Sequence, residues 1–194
     1  MNATFGGRTS RFKLIKIFDK ITSETLKQEI ARRKLSYELA NEYLYQAFVM
    51  DRKSQRKSIA FAFPNIRDHY EITIPYPAKG KSLKASITHN TFTHIEGEQS
   101  NCVEIFRNVW DFLTWLAMMK QTVNRYDAYI LNGKNSLPDV IEAIRSRSDK
   151  VKNIMDFTDN EEGSDDIRNQ FADLAEDCEM RYGAQNYIYR DYIS

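Results

Sequence analysis

The chain has 194 residues, of which 42% are hydrophobic and 28% charged, a composition typical of a globular protein with a buried core. No apolar run approaches the roughly 20 residues that a membrane-spanning helix needs, and the first residues lack the apolar core of a signal peptide. We therefore expect a cytoplasmic protein with no membrane partner. Cys102 and Cys178 are far apart and neither has a CxxC partner, which argues against a disulfide framework or a cysteine-pair zinc site.

Charge is distributed unevenly along the chain. Residues 1–60 hold 13 Lys and Arg against 6 Asp and Glu, whereas residues 125–194 hold 9 against 15. Residues 61–124 hold 6 of each, so the whole chain has a net charge of +1. The basic front predicts an anionic partner, and the acidic end predicts a cation or a basic surface. The alternative is a pair of solvated faces that differ in sign and bind nothing.

The first 99 residues predict a small α+β region. Residues 1–15 are expected to be a loose basic segment. Ser23 is placed to cap a helix that carries Leu26 and Ile30 on one face, and a second helix is predicted over residues 36–46.

A β-hairpin is predicted next, because residues 59–64 and 69–74 are rich in β-branched and aromatic side chains. A basic tip, residues 51–58, precedes it. A turn-rich loop with several lysines follows, and it leads into a short strand over residues 85–88.

From about residue 100 the pattern becomes a regular alternation of strands and helices. Strands are predicted over residues 102–106, 127–131, 151–157 and 186–190, and helices over residues 109–120, 136–147 and 163–183. Such alternation predicts an α/β fold in which a parallel sheet is flanked by helices. We accordingly expect an N-terminal α+β region over residues 1–99 and a parallel-sheet domain over residues 100–194.

Ligands of parallel sheets bind at the carboxyl ends of the strands, which indicates three loops as the place to look for function. These are residues 107–108, 132–135 and 156–163.

The third loop begins an acidic segment. It has six carboxylates in eleven residues: Asp156, Asp159, Glu161, Glu162, Asp165 and Asp166. Carboxylate oxygens on a loop suit Mg²⁺ or Mn²⁺, so Asp156, Asp159 and Glu161 are the candidate ligands if a metal is bound. An EF-hand is excluded, because placing Gly163 at its obligatory glycine puts Thr158 at the first ligand position. The alternative is an acidic helix start that favours the helix dipole without a metal.

Other types of site have weak support. The three histidines lack metal-ligand spacing, and the chain has no GxSxG, P-loop or GxGxxG motif. Trp110, Phe112 and Trp115 have the spacing of a helix packing stripe. Phosphates could instead be held by basic side chains, namely Arg52, Lys53, Arg56, Lys57, Lys79, Lys81, Lys84 and Lys134. The alternative for these cations is ordinary charge that keeps loops solvated.

Three segments resemble the Toprim domain of primase proteins from bacterial mobile elements. That family has a strand followed by F-E-G-x-x-D-F-L-S, a strand ending in L-N-S, and a strand followed by D-x-D-x-x-G. Here residues 106–114 read FRNVWDFLT, residues 131–133 read LNG and residues 159–163 read DNEEG. The resemblance implies a Toprim-like sheet of a phage or mobile-element protein.

The resemblance extends upstream, so that it covers about residues 22–190. Residues 26–46 resemble the family's helix pair, residues 61–72 its F-x-N-x-x-G-G-Y-E-L-R hairpin, and residues 84–88 the start of its Toprim part. The zinc ribbon with which such primases engage template is missing.

The departures from the family pattern decide the expected chemistry. The family's glutamate after the first strand, thought to act in acid–base chemistry, is Arg107 here, and the glycine after it is Asn108. A guanidinium can be neither general base nor metal ligand, so no catalytic residue is expected at the degenerate site of Arg107, Asn108 and Asp111. Arg107 is expected to pair with Asp159 or Glu161. Glu104 does not replace the lost glutamate, because its odd offset directs it to the other face of the strand.

Three functional hypotheses follow. The first is a catalytically impaired Toprim-like protein that binds RNA, DNA or a nucleic-acid-processing complex, with no cofactor expected. The second is an inhibitor from a phage that docks on a host defence complex such as an RNA-guided CRISPR effector. The third is a surviving Mg²⁺-dependent primase or nuclease.

Overall fold

The computed structural model describes residues 10–76, 81–158 and 164–185 of the chain. Within these ranges the protein is a mixed α/β structure with two five-stranded sheets and five α-helices. The predicted α/β class is confirmed, and the predicted parallel sheet flanked by helices is present with four of its five strands parallel.

The first sheet is an antiparallel meander that curls on itself. Its strands lie in chain order: β1 (Phe12–Phe18), β2 (Tyr45–Asp51), β3 (Lys57–Pro64), β4 (Tyr70–Tyr76) and β5 (Lys81–Ile87). The first and last strands approach each other, and the Ser10 hydroxyl donates to the Ser86 carbonyl at 2.6 Å. The inner face is filled by small and β-branched side chains, among them Ala47, Ala60 and Ile72. We call this element the curled sheet.

The outer face of the curled sheet is partly covered by α1 (Glu24–Arg32) and α2 (Tyr37–Tyr43). Phe61 and Phe63 on β3 pack against both helices in one buried cluster. Ser36 begins α2 by accepting a hydrogen bond from the Leu39 N–H at 3.1 Å, as a helix cap does.

The second sheet has the order β10-β9-β7-β8-β6. Four of its strands are parallel, and β6 pairs with β8 in the antiparallel direction. The strands are β6 (Thr93–Ile95), β7 (Gln99–Phe106), β8 (Tyr126–Ile130), β9 (Asn153–Asp156) and β10 (Arg181–Ala184). We call this element the parallel sheet.

Helices cover both faces of the parallel sheet. Phe106 on β7 packs with α3 (Val109–Met118), whereas Val103 and Ile105 pack with α4 (Leu137–Arg145) and α5 (Asp165–Asp177). This split follows from the alternation of side chains along a strand.

Trp110 at the start of α3 joins the two sheets. Its ring is 4% exposed and meets Phe61 edge-on, with 4.9 Å between ring centroids. Its indole N–H donates to the Thr73 hydroxyl at 3.2 Å, and the Arg33 guanidinium lies 4.1 Å from its ring centroid. Trp110 and Phe112 are buried in the shared core, as the predicted packing stripe requires.

Several predicted elements of the first region were wrong. Residues 12–15 were expected to be part of a loose segment, but they belong to β1. Pairing with β2 stabilises this strand, whereas its lysines favoured a loop in the sequence. The second helix ends at Tyr43, and the residues after it enter β2. Lys81 and Lys84 lie in β5 rather than in a loop. The strand β6 was not predicted.

The last helix was predicted too long. It ends at Asp177, and Arg181–Ala184 form β10 instead. The helix ends in a Schellman motif without glycine. Glu179 has φ +54° and its N–H donates a hydrogen bond to the Glu176 carbonyl, while the Met180 N–H donates to the Ala175 carbonyl. A helix end that lacks glycine has no strong signal in the sequence. The strand predicted over residues 186–190 lies outside the described residues.

Candidate functional site

The strand order of the parallel sheet places a crevice between β7 and β9. From β7 the chain crosses to β8 on one side and then returns past β7 to β9 on the other, so the direction of winding reverses between β7 and β9. Ligands of open α/β sheets bind outside the carboxyl ends of the strands at such a point. Arg107 and Asn108 follow β7 there, and Phe157 and Thr158 follow β9.

Asn108 and Asp111 are engaged in starting α3. The Asn108 side-chain oxygen accepts from the Trp110 N–H at 3.0 Å, and its amide donates to an Asp111 carboxylate oxygen at 2.6 Å. Asn108 is thus an N-cap residue, and the carboxylate in the first turn of the helix holds its side chain in place. Asn108 and Asp111 therefore both have a structural use in this fold.

Asp156 is fully buried, and both of its carboxylate oxygens accept hydrogen bonds from the protein. Oδ1 accepts from the Thr158 N–H at 2.8 Å and from the Thr158 hydroxyl at 2.6 Å. Oδ2 accepts from the Tyr182 hydroxyl at 2.7 Å. Burial, with the Asp156 charge beside it, raises the pKa of Tyr182, so its proton stays on the phenol. These contacts fit a carboxylate that anchors β9 to β10.

The other two candidate metal ligands, Asp159 and Glu161, lie outside the described residues. The predicted pairing of Arg107 with either of them therefore stays a prediction. Across residues 10–76, 81–158 and 164–185, no group of three His, Cys, Asp or Glu side chains is placed to hold a metal ion.

Glu104 is buried beneath α3. One carboxylate oxygen accepts from the Trp115 indole N–H at 3.2 Å, and the other has no hydrogen-bond partner among the described residues. Burial raises the pKa of Glu104 to about 7, so this acid is half protonated near neutral pH.

A polar cavity of about 310 Å³ lies between the outer face of the curled sheet and the loops at the carboxyl ends of β7 and β8. Strand register explains the polar wall: Glu71 faces Ser86 across β4 and β5, and Thr73 faces Lys84. The loops contribute side-chain amides, from Asn90, Asn108, Asn132 and Asn135.

Glu71 is the centre of a hydrogen-bond network in this cavity. Its carboxylate accepts from the Ser86 hydroxyl, from the Asn65 amide at 3.1 Å and from the Asn90 amide at 3.3 Å. Burial raises the pKa of Glu71 in spite of these donors. Asn90 also donates to the Asn132 carbonyl at 2.8 Å, so the network links the curled sheet to the loop after β8.

Gly133, next in that loop, has φ +152°, and a Cβ there would lie 3.0 Å from the Asn90 side-chain oxygen. The loop therefore favours glycine at this position.

A second cavity, of about 560 Å³, lies beside β6 and the end of α4. Arg147 donates to the Asp127 carboxylate and, at 2.9 Å, to the Tyr129 hydroxyl. The His94 ring stacks on Tyr129 with 4.6 Å between centroids, and burial lowers the pKa of His94. The Arg147 charge is thereby matched by Asp127.

The predicted basic residues fall into separate groups. Arg52, Lys53 and Arg56 are exposed in the turn between β2 and β3, and Lys57 begins β3. Lys81 and Lys84 are exposed on β5, where Lys84 lines the polar cavity, and Lys134 lies in a helical turn after β8. Lys79 lies outside the described residues.

Sequence reasoning missed Glu71 and Asn90, because their network joins segments that only strand register brings together. It also missed Lys13, Lys16 and Phe48, which lie on strands that were not predicted. The alternation of Phe12, Lys13 and Leu14 was too short a local signal to predict β1.

No protein-family model matches this chain, and no curated protein matches it in sequence. Among the described residues, no helix has the length and apolar character needed to cross a membrane.

Proposed function

We propose that this chain is a nucleic-acid-binding protein of a phage or mobile element, built on a Toprim-like scaffold that no longer catalyses. The observation that carries the proposal is the turn between β2 and β3. Arg52, Lys53 and Arg56 are all exposed there, and Lys57 follows directly. Exposed cations concentrated at one tip suit contacts to phosphates, which are largely independent of base sequence.

The acid nearest to this tip does not cancel its charge. Asp51 accepts hydrogen bonds from the N–H groups of Lys53 and Ser54, and it pairs with Arg11 at 2.7 Å. The Asp51 carboxylate thus shapes the turn and is matched by a cation outside it. The three side chains at the tip keep their charge for a partner.

The positions of the family-like segments support the scaffold part of the proposal. Residues 106–114 cover the end of β7 and the start of α3, and residues 131–133 follow β8. Because β7 and β8 are adjacent and parallel, the two segments lie side by side at one edge of the sheet. The third segment, residues 159–163, lies outside the described residues.

The contacts at this edge favour binding over catalysis. Arg107 replaces the proton-transferring glutamate with a group that stays protonated. Asn108 and Asp111 cap α3, and Asp156 takes three donors from Thr158 and Tyr182. These donors leave Asp156 about one of its four lone-pair sites for a metal.

The test is binding of labelled DNA and RNA over a range of salt concentrations. We expect affinity that falls steeply with salt, and the triple variant Arg52→Ala/Lys53→Ala/Arg56→Ala should bind at least about tenfold more weakly, with a log–log salt slope smaller by about 2–3. The matched control neutralises three exposed cations of the parallel-sheet region, as Arg125→Ala/Lys150→Ala/Lys152→Ala.

Two results would contradict the proposal. Wild-type protein that binds no nucleic acid at low salt removes the binding function. Strand cleavage or primer synthesis that requires Mg²⁺ or Mn²⁺ and disappears in Asp159→Ala would instead make the chain an enzyme.

A further inference from the structure

We infer that the part of the outer face of β1, β2 and β3 that α1 and α2 leave exposed is a binding strip for single-stranded nucleic acid, an inference that rests on the proposed function and gives it a substrate class. The strip consists of Lys13, Lys16, Phe18, Phe48, Met50 and Lys57. Of these residues, only Lys57 was among the basic side chains predicted to hold phosphates.

Strand register puts these side chains on one face in ordered rows. Lys13 lies opposite Met50, which lies opposite Lys57, so two cations flank one flexible apolar side chain. In the next row Lys16 lies opposite Phe48. A row spans three strands that lie about 4.8 Å apart.

Phe48 presents an exposed aromatic ring on the strip, and half-buried Phe18 lies beside it. Phe48 is 39% exposed, although the strand residues on either side of it are buried. Phe18 meets it edge-on with 5.6 Å between ring centroids, and the Lys16 ammonium lies 4.7 Å from the Phe18 centroid. Exposed rings beside cations are what a single strand needs, because its unpaired bases stack while its phosphates are neutralised.

The charge of the strip favours a nucleic acid as its partner. Asp51 is the one carboxylate in these three strands, and it lies opposite Phe12, whose side chain belongs to the inner face. Among the residues of these three strands, the outer face therefore presents cations and no carboxylate. A duplex keeps its bases stacked on each other, so it would use the cations but not the rings.

A shift in register at the edge of the strip determines which side chains of β1 face outward. The pairing of β1 with β2 changes between Leu14 and Lys16, which leaves Ile15 as an extra residue that is 46% exposed. Such a bulge increases the local twist of a strand. It lets Lys16 and Phe18 face the same side as Lys13.

The experiment compares a fluorescent single-stranded oligo(dT) or oligo(U) with a fluorescent duplex of equal length at low salt. In Phe48→Ala we expect affinity for the single strand to fall about tenfold and affinity for the duplex to stay unchanged. Tyr76→Ala is the matched control, since Tyr76 is a 40% exposed aromatic residue on β4, outside the strip. Urea unfolding of each variant checks that the fold is retained.

A second variant tests the strip without removing a ring. Lys13→Gln/Lys16→Gln should weaken binding of both probes and reduce the salt slope by about 2. Wild-type binding that neither Phe48→Ala nor Lys13→Gln/Lys16→Gln changes would overturn the strip and leave the proposed function standing. Absence of wild-type binding to either probe would overturn both.

Discussion

The outer face of the curled sheet and the crevice of the parallel sheet use polar groups in opposite ways. On the curled sheet Lys13, Lys16 and Lys57 are exposed, and no carboxylate of their strands shares their face. In the crevice Asn108 and Asp156 form hydrogen bonds within the protein.

A group that is already bonded internally must break those bonds to bind a ligand, whereas an exposed cation loses only water and counterions. The crevice that the strand order marks for ligands therefore holds polar groups that are part of the framework. The surface that strand order does not mark has exposed cations. Mutations can show whether the two regions are coupled, and whether the crevice is structural.

The largest effect is expected where the two regions meet. Trp110→Ala removes a buried ring that packs on Phe61 and bonds Thr73, so we expect the free energy of unfolding to fall by about 3–5 kcal/mol. Urea unfolding followed by circular dichroism measures it. Val123→Ala, at a side chain that is 61% exposed, is the control and should change little. A loss below about 1 kcal/mol in Trp110→Ala would mean that the sheets are not joined through this ring.

A smaller loss is expected in the crevice. Asp156→Ala leaves the Thr158 donors and the Tyr182 hydroxyl without their acceptor, which should destabilise the fold by about 3 kcal/mol, and Tyr182→Phe by about 1 kcal/mol. Thermal unfolding with and without Mg²⁺ shows whether this carboxylate is a structural anchor or a metal ligand. If Mg²⁺ stabilises the wild type and fails to stabilise Asp156→Ala, the aspartate is a metal ligand rather than an anchor.

The last effect depends on pH and concerns the buried acid below the crevice. The folded pKa of Glu104 is about 7, above the usual value of about 4.3, so between these pH values the folded state holds the extra proton. Its stabilising contribution is therefore present below about pH 4 and is lost as pH rises to about 7. At pH 8 we expect Glu104→Gln to be more stable than the wild type by about 3–4 kcal/mol, and the advantage should vanish near pH 4.

His94 changes the stability over the same pH range in the opposite direction. Burial lowers its pKa, so the unfolded state takes up the proton first as pH falls below about 6.5, and stability is lost toward acid. This contribution is common to wild type and Glu104→Gln, and it cancels in their difference. A difference that does not depend on pH would show that Glu104 is ionised in the folded protein.

Local pattern predicted much of the second half of the chain. The strand–helix alternation after residue 100 was visible because strands and helices bury side chains with different periods, and β7, α3, β8 and α4 all appeared close to their predicted places. The starts of α1 and α2 were also predicted. Ser23 and Ser36 occupy the two N-cap positions, but the Ser36 side chain makes a capping hydrogen bond and the Ser23 side chain makes none among the described residues.

The candidate sites were harder to predict from the local sequence pattern. The cations at the β2–β3 turn were visible as a run of basic residues. In contrast, the partners of Asp156 could not be found, because Tyr182 is 26 positions away and reaches it only through the pairing of β9 with β10.

The sequence by itself therefore determined the periodic elements, the three loops that follow the parallel strands, and the excess of cations near the front of the chain. Tertiary structure alone decided that β1 is a strand, that the first sheet curls, and that Lys13, Lys16 and Phe48 share one face. The physical reason is the range of the interactions involved. Helix caps and side-chain periods act within a few residues, whereas strand register, burial and carboxylate partners depend on segments that meet only after the chain has folded.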